Sequence, residues 1–229
     1  MPLATRSTLR RLALLACLAP ALAHADDGTH VGAAVTAGLS GFGLDVGVNL
    51  TDFLGLRGTF ATYSLSHNGN YSTSVTWSAQ ARLRQAGLLV DLYPFGSGIF
   101  RLSAGAIDDL NQVTGTAQTT ASGTLTFNGV SYPASSLAYA NANVEWNKVV
   151  PYVGVGSGNL AGSRGFHFTT DLGVLISGSP SSALNVACAA GQVCNQLAQN
   201  VAVENAKLQN DVHKLNLWPV LRLGFGYAW

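Results

Sequence analysis

Leu221-Arg222-Leu223-Gly224-Phe225-Gly226-Tyr227-Ala228-Trp229 closes the chain and alternates without a break. The large apolar residues Leu221, Leu223, Phe225, Tyr227 and Trp229 share one parity, and Arg222, Gly224, Gly226 and Ala228 share the other. A strand places alternate side chains on opposite faces, so this stretch reads as a strand with one greasy face and one small or charged face. The second face is too small and polar to pack a core of its own. Lipid outside and a polar lumen inside satisfy both faces. A last strand ending on an aromatic also suits recognition by a barrel assembly machinery.

The N-terminus points to the same compartment. Arg6, Arg10 and Arg11 precede an apolar run from Leu12 to Leu22, followed by Ala23-His24-Ala25 and then Asp26-Asp27. Positive n-region, short apolar core and small-x-small site together read as a secretory signal peptide over 1–25. Cys17 is a poor lipoprotein site, because the apolar run continues past it. The signal removes three of twelve basic residues and none of eleven acids, leaving residues 26–229 at net −2. That balance argues against a nucleic-acid partner, which needs a basic stripe. No later apolar run reaches the roughly 18–20 residues of a membrane helix. Yet the chain carries 26 glycines, few charges and a mean hydropathy of +0.25.

The expected fold is all-β: an eight-stranded antiparallel transmembrane barrel over 26–229, in the bacterial outer membrane. The strands are placed at about 30–39, 42–50, 54–66, 77–92, 99–110, 144–155, 166–176 and 215–229. Short turns near 52, 96 and 160 alternate with longer loops near 70, 125 and 195, matching periplasmic turns and outer loops. Residues 112–143 and 178–214 read as long loops. Leu197, Val201, Leu208 and Val212 recur at helical spacing, which predicts a short helix over about 195–211, resting on the barrel rim or acting as a lid. Phe53, Tyr93, Phe95, Phe166, Tyr227 and Trp229 are expected in a periplasmic aromatic girdle, and Trp77, Trp146 and Trp218 in an outer one.

Charges facing lipid are costly, so those within strands are expected to face the lumen. Asp45 and Arg57 are symmetric about residue 51, Asp91 and Arg101 about residue 96, and Asp171 and Arg222 sit at similar heights. Each acid is expected directly across from a base. The six form a predicted lumen charge ring, joined by His167 and Lys148. Arg82 and Arg84 share parity with Leu88, Val90 and Leu92, which requires either a place above the bilayer edge or a bulge. The ring reads as a neutral lattice locking a small barrel or as a constriction for small charged or zwitterionic solutes. An eight-stranded barrel is nearly filled by its own side chains.

Cys188 and Cys194 are the two cysteines after the signal, and an oxidising compartment favours a disulfide over free thiols. Neither a metal site nor a cofactor is expected. His167, Asp171 and Ser103 do not form a nucleophile–base pair with an oxyanion donor, so no catalytic residue is assigned and no enzyme is expected.

The stretches Gly41–Gly47, Leu54–Gly58, Gly87–Phe95, Phe100–Gly105, Val150–Gly156, Asp171–Val174 and Trp218–Leu221, taken in order, give the chain a family likeness. It resembles the small outer-membrane barrels related to the CarO ornithine-uptake porin of Gram-negative bacteria. The resemblance implies an eight-stranded barrel and passage of small amino-acid solutes such as ornithine. The leading functional expectation is a narrow channel for small polar solutes in outer-membrane lipid. The alternative is a closed barrel whose outer loops meet an external partner or the lipopolysaccharide surface.

Overall fold

A computed structural model of the chain describes residues 30–229 apart from 73–74, 97, 99, 120–122, 147 and 190–192. The predicted signal peptide, 1–25, lies outside the described residues. The strands are β1 (Val31–Gly38), β2 (Gly41–Thr51), β3 (Leu54–Ser72), β4 (Val75–Leu92), β5 (Arg101–Asp109), β6 (Gln112–Thr119), β7 (Thr124–Phe127), β8 (Val130–Pro133), β9 (Leu137–Glu145), β10 (Lys148–Ser157), β11 (Gly165–Leu175), β12 (Ser181–Cys188) and β13 (Trp218–Ala228). Among the described residues one α-helix, α1, spans Val193–Val212.

Eight of these strands form a closed ring. β1 pairs with β2, β2 with β3, β3 with β4 and β4 with β5; β5 pairs with β10, β10 with β11, β11 with β13, and β13 returns to β1. Every pairing is antiparallel, and closure leaves no sheet edge in the lipid. Parity does what the C-terminal stretch requires. Leu221, Leu223 and Phe225 are exposed on the outside, while Val220, Arg222, Gly224, Gly226 and Ala228 are buried within.

The two expected long loops are instead largely structured. β6 continues β5 along β4, pairing Val75–Arg82 with Thr119–Gln112. β9 then pairs with β6, and β12 with β9. The barrel wall therefore rises on one side into a five-stranded sheet, β3-β4-β6-β9-β12. The bend between β5 and β6 falls at Leu110-Asn111. There the Asn111 side chain accepts a hydrogen bond from the Arg84 N–H at 2.9 Å, standing in for a missing ladder carbonyl. The β7–β8 hairpin turns on Asn128 (φ 52°) and Gly129 (φ 80°), both left-handed as a tight two-residue hairpin requires.

The hairpin and α1 pack on the sheet face that continues the lumen wall. Leu125, Phe127 and Tyr132 bury against Ala140, Leu197, Leu184 and Val186. Ala140 and Leu184 share parity, strand by strand, with Val113 and Ala81, and Ala81 with the lumen-facing Gln85 and Leu89. The helix is thus docked on the inner side of the raised wall. The hairpin is clipped to it: Lys207 Nζ donates to Asn128 Oδ1 at 2.8 Å, and Asn200 Nδ2 to the Tyr132 hydroxyl at 2.6 Å. Cys188 and Cys194 are joined, with Cα atoms 5.6 Å apart, tying the end of β12 to the start of α1.

The girdles differ from expectation. Phe53, Phe95, Phe166 and Trp229 are exposed at the periplasmic end, with Phe166 stacked on Phe225 at 5.5 Å. Tyr93 points inward and is buried, because it shares parity with Asp91. Trp146 is buried and meets Trp218 edge-on at 5.7 Å, so these two do not form an outer girdle. The side chain of Trp77 lies outside the described residues.

Candidate functional site

The lumen is stacked in layers. At the periplasmic floor, Leu160 and Ala161 of the turn after β10 are buried, as is the inward Tyr93. Gly32 makes room for this turn, since a Cβ there would lie 3.0 Å from Leu160 Cγ and closer still to its carbonyl. Outward of the charged residues lies an apolar layer of Leu89, Ile107, Val150, Tyr152, Leu175 and Val220. Between them sit Asp45, Arg57, Asp91, Arg101, Asp171 and Arg222, all buried.

Arg57 is the hub, at 2% exposure. Its Nη1 lies 2.7 Å from Asp45 Oδ2 and 3.0 Å from Asp171 Oδ2, and its Nε 2.8 Å from Asp91 Oδ2. Nη2 adds contacts to Asp91 Oδ1 at 3.1 Å and Asp171 Oδ1 at 3.0 Å. One planar guanidinium thus joins carboxylates from β2, β4 and β11, which ring opposite sides of the barrel. Arg101 Nη2 meets Asp171 Oδ1 at 2.7 Å, and its Nη1 donates to the Gly158 carbonyl at 2.8 Å. Ser103 Oγ donates to Asp91 Oδ1 at 2.6 Å. Arg222 Nη1 donates to Thr59 Oγ1 and lies 3.6 Å from Asp45 Oδ1.

These pairs are not the cross-strand pairs expected. Asp45 stands opposite Thr59, and Arg57 opposite Gly47, because the β2–β3 ladder is centred on residue 52 rather than 51. Asp91 stands opposite Ser103. Asp171 and Arg222 are opposite one another in register, yet Asp171 bonds Arg57 and Arg101 instead. Long side chains reach across a narrow lumen as easily as along its wall. Small wall residues allow this: a Cβ at Gly156 would sit 3.1 Å from Arg101 Nη2, and one at Gly173 2.5 Å from the Tyr152 hydroxyl.

His167 and Lys148 do not join the network. His167 Nε2 pairs with the Ser163 carbonyl at 2.6 Å in the periplasmic turn, and Lys148 Nζ donates to the Ser179 carbonyl at 2.9 Å. Arg82 and Arg84 are exposed on the outer face. The β3–β4 register runs unbroken from Leu54 to Asn70, so no bulge intervenes and they lie above the apolar belt. A fourth inward acid, Asp109, went unassigned from sequence. It is buried above the apolar layer and accepts from Ser177 Oγ at 3.1 Å. Its parity with Arg101 and Ser103 is the signal that marks it.

Closed ring, lipid-facing outside and charged inside define the architecture, and solved structures share it. CarO2 of Acinetobacter baumannii matches with a TM-score of 0.58 at 18% identity, covering 87% of this chain and 98% of that one. CarO of the same organism matches with a TM-score of 0.56 at 20% identity, covering 86% and 97%. The chain has a CarO-like β-barrel fold. No family model and no curated protein matches it. The coverage extends the likeness beyond the eight barrel strands to most of the chain. In this CarO-like barrel the outward apolar residues, among them Val35, Leu44, Phe60, Leu172 and Leu223, face lipid. Among the described residues no group of His, Cys, Asp and Glu could hold a metal ion.

Proposed function

We propose that this outer-membrane barrel is closed at rest and acts through the raised wall and helix above its outer mouth. The observation that carries this is Arg57, held by three carboxylates from three strands at 2.7–3.0 Å across the lumen. A solute entering from outside would have to pass the apolar layer, break this lattice and then clear the Leu160 turn.

One observation favours the second reading, a narrow channel for small polar solutes such as amino acids. Arg222 Nε and Nη2, Arg101 Nε and Asp45 Oδ1 are buried without hydrogen-bond partners among the described residues. Such groups can bind a transiting zwitterion. Planar-bilayer recording of the refolded barrel separates the readings, with folding checked by a heat-modifiable gel shift. A closed barrel stays silent. Discrete steps that ornithine or glycine reduces would overturn the closed reading.

A further inference from the structure

The raised wall has two edges, and the chain treats them differently. At the β12 edge, α1 supplies the missing partners: Gln209 Oε1 accepts from the Ser182 N–H at 2.8 Å, and Asn205 Oδ1 from the Leu184 N–H at 3.0 Å. At the β3 edge, pairing with β2 ends at Thr62 opposite Phe42, while β3 itself runs on to Ser72. The Tyr93 N–H donates to the Phe53 carbonyl, so odd residues of β3 bond to β4 and even ones face the other edge. The backbone groups of Ser64, Ser66 and Asn68 therefore have no ladder partner among the described residues. A free edge is a template for another strand, and proteins usually guard it with lysine, proline or a bulge. Tyr63–Asn68 has none of these; the first irregularity comes between Asn70 and Ser72.

The two faces beside this edge define what fits. On the inner face Tyr63 and Leu65 are 41% and 52% exposed. On the outer face Arg84 stands opposite Thr62, and Arg82 opposite Ser64. Both arginines are exposed and make no ion pair among the described residues. The serine and threonine between them and the edge are short. A strand added beside β3 would lie about 10 Å from β4, within joint reach of an arginine and an acidic side chain.

We propose that the Tyr63–Asn68 edge of β3 docks an extended segment of another polypeptide, with apolar residues against Tyr63 and Leu65 and acids facing Arg82 and Arg84. This rests on the reading of the raised wall as the working surface. A second copy of this chain fits poorly, since Tyr63–Ser72 carries no acid and two copies would bring four arginines together. Lipopolysaccharide phosphates could meet the arginines but offer no ladder to the edge.

The probe is a labelled, end-capped peptide, Thr-Val-Glu-Val-Glu-Val-Thr-Val, added to the refolded barrel. Fluorescence anisotropy should saturate, and the Ser64, Ser66 and Asn68 amides should become protected from hydrogen exchange. Ser66→Pro removes one edge donor at a position where proline is tolerated, and should weaken binding about tenfold with the heat-modifiable shift unchanged. Arg82→Glu with Arg84→Glu should weaken it as well. An N-methylated version of the peptide needs no change in the barrel and should fail to bind. The proposal is overturned if the three amides stay unprotected at saturation, or if Ser66→Pro and the N-methylated peptide bind like their parents. It is equally overturned if the amides are already protected without peptide, or if only lipopolysaccharide vesicles engage the arginines. A barrel that conducts and still protects the three amides would sink the closed-barrel reading and leave this one standing.

Discussion

Arg57 sits where three carboxylates converge, and its removal strands them in a space without water's dielectric. Breaking a buried ion pair by deleting one partner costs about 3–5 kcal/mol. Arg57→Ala should therefore lower the unfolding free energy by an amount in that range, read as a lower urea midpoint of the heat-modifiable band at unchanged m. Arg57→Lys should fall short of rescue, because a compact ammonium cannot present the planar fork that spans Asp91 and Asp171 at once. An unchanged midpoint in Arg57→Ala would mean the lattice does not hold the barrel. Sequence parity separates lumen-facing from lipid-facing residues, and this works because charge in lipid is costly at each position alone. Parity does not say which acid meets which base. Side-chain reach across the lumen decides that, and it links Asp171 to Arg57 and Arg101 rather than to its register partner Arg222. Tyr93 follows the parity of Asp91 and faces the lumen, while His167 bonds the Ser163 carbonyl of the periplasmic turn instead of reaching the network.

Among the elements, α1 is held to β12 by specific polar bonds as well as by Leu197. Gln209 also donates to the Pro180 carbonyl at 3.0 Å, and its Oε1 accepts from Ser182 Oγ at 2.9 Å. Gln209→Ala with Asn205→Ala leaves the β12 edge bare. The expected cost to the docked helix is about 1–3 kcal/mol, seen as faster exchange of the Ser182 and Leu184 amides with an unchanged barrel gel shift. Reducing the Cys188–Cys194 bond opens a small loop worth about 2 kcal/mol in chain entropy. Limited proteolysis should then cut before α1 sooner, while the barrel strands resist; equal cutting with and without reductant would count against the staple. The helix was readable from Leu197, Val201, Leu208 and Val212, and its observed span of Val193–Val212 is close to the 195–211 expected. The strands β6, β7, β8, β9 and β12 were not readable. Their Thr-, Ser-, Ala- and Asn-rich runs carry weak alternation, since part of the wall they build faces water on one or both sides.

At the scale of the molecule, buried charge and lipid-facing apolar surface make different demands on the solvent. Surface ion pairs weaken with salt, whereas pairs as buried as these are screened little. Raising sodium chloride from 0.1 M to 1 M should leave the unfolding midpoint of the barrel nearly unchanged; a large drop would show that solvent reaches the lumen. The eight-strand ring was legible because each barrel strand must satisfy lipid on one side and lumen on the other, a demand written in every second residue. Two-residue periodicity and the short turns between them are local, and a linear sequence carries them without help. What lies above the bilayer answers to no such rule. The rise of β3 and β4 past the rim, the bend at Asn111, the docking of α1 inside the wall and the open edge at Ser64–Asn68 depend on which distant segments meet. The cross-lumen grip of Arg57 depends on the same thing, because only closure of the ring brings Asp45, Asp91 and Asp171 within reach of one guanidinium.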